Sequence, residues 1–384
     1  MKRRVFSLTG LLLSGLMCFG AVGCGSSKDK DNGVTDSEYS ENLPEEEQGP
    51  FKNISPINGK EICIVNDEME NFLEQEELVG ELVDAYVTNT ENFAPRSIEF
   101  SWSCEKAILG YTLTIATDEN FTENVTVCNV VGDSVLIENP YTGCEYFWKL
   151  SATTESGELL KSEIFSFKVK STPRPVYIDG VSNTRDLGGY NVANGRVKQG
   201  MIYRTAKFDD ITPEGKIMAS EGLKIKTDLD LRNVGEGSAG AQSPLGCENY
   251  LRLTSPYYSI FSADQKAQVR EIMKVFADES NYPIAMHCSL GRDRTGTIAF
   301  LLNALLGVER GDLRADYFLS CFSKAGTALD GASYVVLERN FESMYDQIDV
   351  TYDGESYAKK VEAYLLSAGV TMEELNEIKR IMLE

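Results

Sequence analysis

The chain has 384 residues, too many for one ordinary domain, so two or three are expected. A hydrophobic share of 42% and a charged share of 25% allow a sizeable core and exclude wholesale disorder. A formal net charge of −22 excludes nucleic acid as a partner, and an anionic substrate must be captured by a local basic site against the overall field.

Residues 1–23 read as a targeting segment. Lys2, Arg3 and Arg4 precede an apolar run from Val5 to Val22, which is glycine-broken and too short for an ordinary spanning helix. The sequence Gly23-Cys24-Gly25-Ser26-Ser27 then resembles a bacterial lipoprotein signal, in which the cysteine is acylated. That resemblance implies lipidation at Cys24, a membrane attachment through the N-terminal lipid and an extracytoplasmic, cell-surface location. The alternative is an ordinary cleaved signal with Cys24 free or removed. Residues 24–50 carry almost no apolar side chain, include Glu45-Glu46-Glu47 between Pro44 and Pro50, and read as a disordered tether.

Residues 51–170 read as an all-β domain. Ile98–Trp102, Tyr111–Ile115, Tyr146–Leu150 and Phe165–Val169 alternate apolar and polar side chains, the strand signal, with turn formers between them. Short strands at this spacing predict a sandwich. With Trp102 on an early strand, the Tyr111 strand, Thr117–Phe121 and Gly143–Trp148, the region resembles a fibronectin type III module, which implies a spacer or a module for a protein or glycan partner. Trp102 and Trp148 read as core aromatics rather than ligand-stacking ones. Residues 66–92 do not fit the module; Asn71–Val87 reads as an inserted amphipathic helix with Phe72, Leu73, Leu78, Leu82 and Val83 on one side. Cys63, Cys104, Cys128 and Cys144 are candidates for disulfides in an oxidising compartment. No Cys-x2-Cys pair occurs and there is one histidine, so neither a metal nor another cofactor is expected.

Thr172-Pro173-Arg174-Pro175 reads as a stiff linker. From residue 173 to 384, strand-like runs at Ile225–Leu231 and Ile284–His287 alternate with helical patterns at Pro213–Glu221, Asp264–Phe276, Thr295–Leu306, Arg310–Cys321, Tyr357–Ala368 and Thr371–Leu383. Thr371 and Glu374 form a capping box. The alternation predicts an α/β domain with a central sheet flanked by helices.

Within that domain, Pro283-Ile284-Ala285-Met286-His287-Cys288-Ser289-Leu290-Gly291-Arg292-Asp293-Arg294-Thr295-Gly296 predicts a buried strand, a tight turn and a helix start. A helix N-terminus with converging backbone N–H groups binds phosphate. Gly291 permits the backbone path, and Arg294 offers a planar fork for two phosphate oxygens. Cys288 opens the loop, where the helix end, the loop amides and the arginines favour its thiolate.

Cys-x5-Arg with His287 before it and Thr295-Gly296 after it resembles the signature of the cysteine-dependent tyrosine and dual-specificity phosphatases. Asn183–Tyr190, Gly195–Thr205 and Asp230-Leu231-Arg232 narrow the resemblance to bacterial atypical tyrosine phosphatases, which include secreted lipid phosphatases. It implies that Cys288 attacks phosphorus and forms a cysteinyl phosphate that water hydrolyses. Arg294 and the loop of Ser289, Leu290, Gly291, Arg292 and Thr295 would bind the phosphoryl oxygens. Thr295 would assist the departing sulfur, and His287 would orient the loop. No Asp lies between Leu231 and Ala263, where many tyrosine phosphatases carry the general acid. The resemblance to the atypical bacterial group implies the Asp just before the signature Arg, Asp293, in that role, preferred over Glu236, Glu248 and Asp264 on reach and residue type. Asp186 and Arg185 are expected to support the loop from beneath, with substrate contact as the alternative. The implied substrate is a phosphotyrosine protein or a phosphoinositide. A phosphate-recognising surface adaptor without turnover and an inositol polyphosphate phosphatase are the competing readings.

Overall fold

The computed structural model describes residues 4–6 and 49–384, apart from 88–92, 172, 234, 237–241, 325–328 and 330. The rest of the expected targeting segment, Cys24 and nearly all of the tether lie outside the described residues. Arg4–Phe6, expected within that segment, forms a short strand, β1.

The N-terminal β region has two sheets over one core. In the first, β1 runs parallel to β7 (Ser134–Glu138), followed by β4 (Ile98–Ser103) and β2 (Lys52–Ser55). In the second the order is β3 (Lys60–Ile62), β10 (Phe165–Val169), β8 (Glu145–Thr154), β5 (Ile108–Ala116) and β6 (Thr126–Val130), with β9 (Leu159–Lys161) also paired to β8. Burial alternates along β4, β8 and β10, as period-two apolar patterns require when one sheet face is covered. Trp102 and Trp148 are buried between the sheets, Trp148 edge-on to Phe100, so both are core aromatics.

The expectation of disulfides is corrected. Cys63, Cys104, Cys128 and Cys144 are all free thiols, as are Cys247, Cys288 and Cys321. Cys128 points into the sandwich core, where burial pushes its thiol up to about 12 and makes it inert.

The single helix expected over Asn71–Val87 is instead two short ones, α1 (Asp67–Leu73) and α2 (Gly80–Tyr86). Asn66 caps the first by accepting from the Met69 N–H, and the chain leaves helical geometry after Glu74. Phe72 and Val83 do not join the sandwich. They bury in the C-terminal core, where the Phe72 ring meets Phe318 and Phe322. The reason is sequence-local: Phe72 and Val83 lie on separate short helices that are each half apolar, and neither can bury its face alone.

The C-terminal sheet follows the order β11 (Arg185–Asp186), β14 (Ile202–Thr205), β17 (Ile284–His287), β15 (Thr227–Asp230) and β16 (Asn249–Arg252). β14, β17, β15 and β16 are parallel. The central strands β14, β15 and β17 are buried at every position, as a parallel sheet covered on both faces demands. A hairpin, β12 (Asn191–Val192) with β13 (Gly195–Arg196), lies apart. Helices α3 (Pro213–Ile217), α4 (Ala263–Phe276), α5 (Asp293–Leu306), α6 (Arg310–Leu319), α7 (Gly331–Thr351), α8 (Tyr357–Ser367) and α9 (Met372–Met382) complete the domain. Every residue of α5 is buried, consistent with its run from Ile298 to Leu306 in which Asn303 is the one polar residue, and Gly307 ends it in the left-handed conformation. The capping box of Thr371 and Glu374 is present on α9.

The described part of the expected stiff linker, Pro173-Arg174-Pro175, is docked through Arg174. Arg174 is buried, pairs with Asp186 at 2.7 Å and donates to the carbonyls of Asn139 and Pro140. Gln199 and Arg196 bond Thr142 from the other side of the junction. The two cores are therefore joined by buried polar contacts rather than by a free spacer.

Candidate active site

β17 ends at His287 in the middle of the sheet, between β14 and β15. This is where parallel sheets bind ligands, at the carboxyl ends of their strands. The turn from Cys288 to Arg292 then leads into α5. Gly291 sits at φ +69, and a Cβ there would come within 2.3 Å of the Thr205 carbonyl, so only glycine fits.

Cys288 is buried at the mouth of α5. Burial alone would raise its pKa. The hydroxyl and backbone N–H of Thr295, the Arg294 charge and the Gly291 N–H outweigh burial and bring it below the ordinary thiol value. The thiolate is the nucleophilic form of cysteine.

His287 lies fully buried behind Cys288. Its Nδ1 is 3.0 Å from the Cys288 carbonyl oxygen and its Nε2 is 2.9 Å from the Asp228 carboxylate. Both neighbours carry acceptor oxygens, a setting that favours the protonated ring, although Nε2 and the nearest Asp228 oxygen are not aligned for a hydrogen bond. Burial opposes that charge, yet Asp228, Asp230 and the Cys288 carbonyl outweigh it and raise the His287 pKa.

Arg294, on the first turn of α5, donates from Nη1 and Nη2 to the two oxygens of Glu236 at 2.7 and 2.6 Å. Its Nε is buried and has no hydrogen-bond partner, the donor a phosphoryl oxygen would satisfy. Ser289 also donates to Glu236, at 2.8 Å. Glu236 belongs to the loop after β15, and Arg252 fixes its backbone by donating to its carbonyl at 3.1 Å. The Arg294 charge and Ser289 hold the Glu236 carboxyl down at about 2.

Asp293 is buried one residue earlier. It accepts from Arg292 Nε at 2.9 Å and from the Tyr258 hydroxyl, which in turn accepts from Tyr317 at 2.9 Å. Glu248 and Asp264 are exposed; Glu248 precedes β16, at the opposite end of the parallel strands from the Cys288 loop.

The site residues expected from sequence divide into two groups. Cys288, Ser289, Leu290, Gly291, Arg292, Asp293, Arg294, Thr295 and His287 form the loop, its helix start and its rear support. Arg185 lies deeper, bonded to Asp316, Asn183 and Ser320. Asp186 is not at the loop: it pairs with Arg174 and accepts from the N–H groups of Gly188 and Gly200, so it serves the domain junction. Sequence reading missed Tyr258 and Tyr317, which carry no motif, and placed Glu236 only among alternative acids.

A cleft of about 440 Å³ opens over Arg294, lined by Glu236, Thr254, Ser255, Pro256, Tyr257 and Gln268 among others. Tyr257, half exposed, separates it from a second hollow of about 310 Å³ beside Arg292 and Asp293 that reaches Val336 and Leu337 of α7.

Residues 176–384 match the model of the tyrosine phosphatase family. A Cupriavidus necator protein carrying the provisional name tyrosine-protein phosphatase is 29% identical over 168 residues, which are 37% of this chain and 61% of that protein. The chain thus spans less than two thirds of the length of that relative. The core catalytic domain of the PP-IP phosphatase SIW14 from S. cerevisiae, solved with citrate, is 17% identical and aligns with 42% of this chain and 91% of its own, at a TM-score of 0.28. A second structure of the Siw14 catalytic core is 18% identical and aligns with 42% of this chain and 85% of its own, at a TM-score of 0.29. The matched span covers the sheet, the Cys288 loop and every helix from α3 onward, and the chain belongs to the tyrosine phosphatase family.

Proposed function

We propose that the protein hydrolyses phosphate monoesters through Cys288. The thiolate attacks phosphorus in line, the phosphorus–oxygen bond to the leaving group breaks, and a cysteinyl phosphate forms. Asp293 delivers a proton to the departing oxygen, and water then attacks the intermediate, releasing phosphate and the thiolate. Arg294 and the loop N–H groups stabilise the charge on the equatorial oxygens. The observation that carries this reading is the buried Cys288 with a lowered pKa beside the unpartnered Nε of Arg294.

The substrate we favour is a phosphotyrosine side chain. Among the described residues lining the cleft, Arg294 is the only cation and Glu236 already pairs with it. In the adjoining hollow Arg292 bonds Asp293. A near-neutral cleft with Tyr257 at its rim suits one phosphoryl group on an aromatic ring better than a polyphosphorylated inositol, which needs several cations.

The full chain is expected to cleave p-nitrophenyl phosphate without added metal, and Cys288→Ser to abolish turnover while retaining phosphate binding. Full activity in Cys288→Ser would remove the nucleophile from this scheme. A panel of phosphotyrosine peptides, phosphoinositides and inositol polyphosphates decides the substrate, and a preference for inositol polyphosphates would reject the phosphotyrosine reading. Membrane attachment through Cys24 is a separate proposal resting on the sequence from Lys2 to Ser27. Radiolabelled palmitate incorporated by the producing bacterium should be lost in Cys24→Ala.

A further inference from the structure

The N–H groups of a phosphate nest point inward only if something holds its carbonyls outward, because C=O and N–H of a trans peptide are antiparallel. Every carbonyl from Cys288 to Arg292 has such a partner here. His287 lies on that of Cys288 at 3.0 Å, and the Lys207 N–H donates to that of Ser289 at 3.2 Å. Asn183 donates from Nδ2 to the Leu290 carbonyl at 2.8 Å. Arg204 donates from Nη2 to the carbonyls of Gly291 at 2.8 Å and Arg292 at 3.3 Å.

Asn183 and Arg204 are both fully buried and are themselves held. The Asn183 Oδ1 accepts from Arg185 Nη1 at 2.6 Å, and Arg185 donates from Nε to Asp316 at 2.7 Å. Arg204 Nη1 shares the same Asp316 carboxylate. Arg185 and Arg204 are cross-strand partners in the β11–β14 pair, which sets their side chains in register beneath the loop. Two guanidiniums against one carboxylate leave a net positive charge under the nest, favourable to both a thiolate and a phosphate.

We infer that Asn183 and Arg204 are positioning residues that set the polarity of the phosphate nest, turning the N–H groups of Gly291, Arg292 and Asp293 toward the bound phosphoryl group. This rests on the phosphatase reading of the same loop. The peptide linking Leu290 to Gly291 connects the inference to the nucleophile, since the Gly291 N–H is one of the groups that lower the Cys288 pKa. The Asn183 backbone is at φ 57, which Asp tolerates and Gly adopts freely, so both substitutions fit the fold. Asn183→Asp keeps the acceptor for Arg185 and replaces the donor to Leu290 with a repelling oxygen. Asn183→Gly removes the donor without adding charge.

The test uses two readouts that need no turnover. Calorimetric titration of inorganic phosphate into full chains carrying Cys288→Ser should show affinity weakened on the order of tenfold or more by either Asn183 substitution. With Cys288 intact, the pH profile of its alkylation by iodoacetamide should move to higher pH in both. Unchanged phosphate affinity and an unmoved profile in folded Asn183→Gly would overturn the inference. So would a shift confined to Asn183→Asp, which would show a through-space charge effect only. Should both variants unfold by circular dichroism, Arg204→Lys repeats the measurements: it keeps the charge beside Asp316 but cannot also bridge two carbonyls. A folded Arg204→Lys with native phosphate affinity would equally overturn it. Failure of the phosphatase reading looks different, as a wild-type chain that binds phosphate without hydrolysing any ester.

Discussion

Glu236 grips the outer edge of the Arg294 guanidinium with both carboxylate oxygens, leaving Nε as a buried nitrogen of Arg294 without a partner. A guanidinium held at Nη1 and Nη2 cannot rotate, so its remaining edge is presented to an anion in one orientation. The ion pair is partly exposed, so its value lies in geometry more than in stability.

Glu236→Gln should therefore act on binding. The neutral amide loses the charge-assisted fork, and KM for p-nitrophenyl phosphate and the inhibition constant of phosphate should both rise about tenfold, by analogy with other charged hydrogen bonds. Because the Glu236 carboxyl is held at about 2, it stays ionised through the working range and its loss should leave the acid limb of the pH–rate profile in place. Steady-state kinetics between mildly acidic and mildly basic pH checks both points.

Asp293→Asn tests the acid. General acid assistance contributes typically about 10²–10⁴-fold, most for poor leaving groups. Turnover of an alkyl phosphate should fall by that order while a strongly activated aryl phosphate loses far less. Equal losses on both would exclude Asp293 from proton transfer. Tyr258→Phe removes a donor that holds the same carboxylate, and turnover of the alkyl phosphate should fall with it.

His287 links charge to pH. Its folded pKa is raised above the unfolded value of about 6.5, so its contribution to stability is fully present below that value and is lost as pH rises through the folded pKa. Melting temperature should decline as pH rises above about 6.5 in the wild type, and that particular decline should be lost in His287→Gln. The same variant removes a ring whose protonated form is favoured next to Cys288, so alkylation of the thiol should require a higher pH.

Phe72→Ala reports on the joint between the two regions. The ring is fully buried against Phe318 and Phe322. Its truncation should cost about 3–5 kcal/mol, seen in urea as destabilisation of the phosphatase domain. A phosphatase domain indifferent to this change would mean that α1 does not belong to its core.

Local sequence determined a good deal here. The run from Pro283 to Gly307 specifies strand, turn and helix by its own chemistry: an apolar strand, a glycine that must adopt positive φ, and a helix that turns apolar from Ile298 and stops at a glycine. Ile284–His287 forms the predicted strand residue for residue, and α4, α5, α8 and α9 lie within about two residues of their predicted spans because caps and periodicity are encoded within a few positions. α7 escaped, since Gly331–Thr351 mixes polar and apolar residues without a clean stripe and gains its helix from burial of Phe341, Met344 and Ile348.

The tertiary structure alone decided what meets across long separations. No local pattern says that Glu236 reaches Arg294, that Asn183 and Arg204 hold the loop carbonyls, that Asp186 turns to Arg174 rather than to the loop, or that Phe72 crosses to the second core. A motif states which groups a short stretch of backbone can present, because torsions and spacing are local. Which partners satisfy the buried donors, acceptors and apolar faces left over depends on how distant strands register and helices pack, and these interactions become defined only when the whole chain has folded.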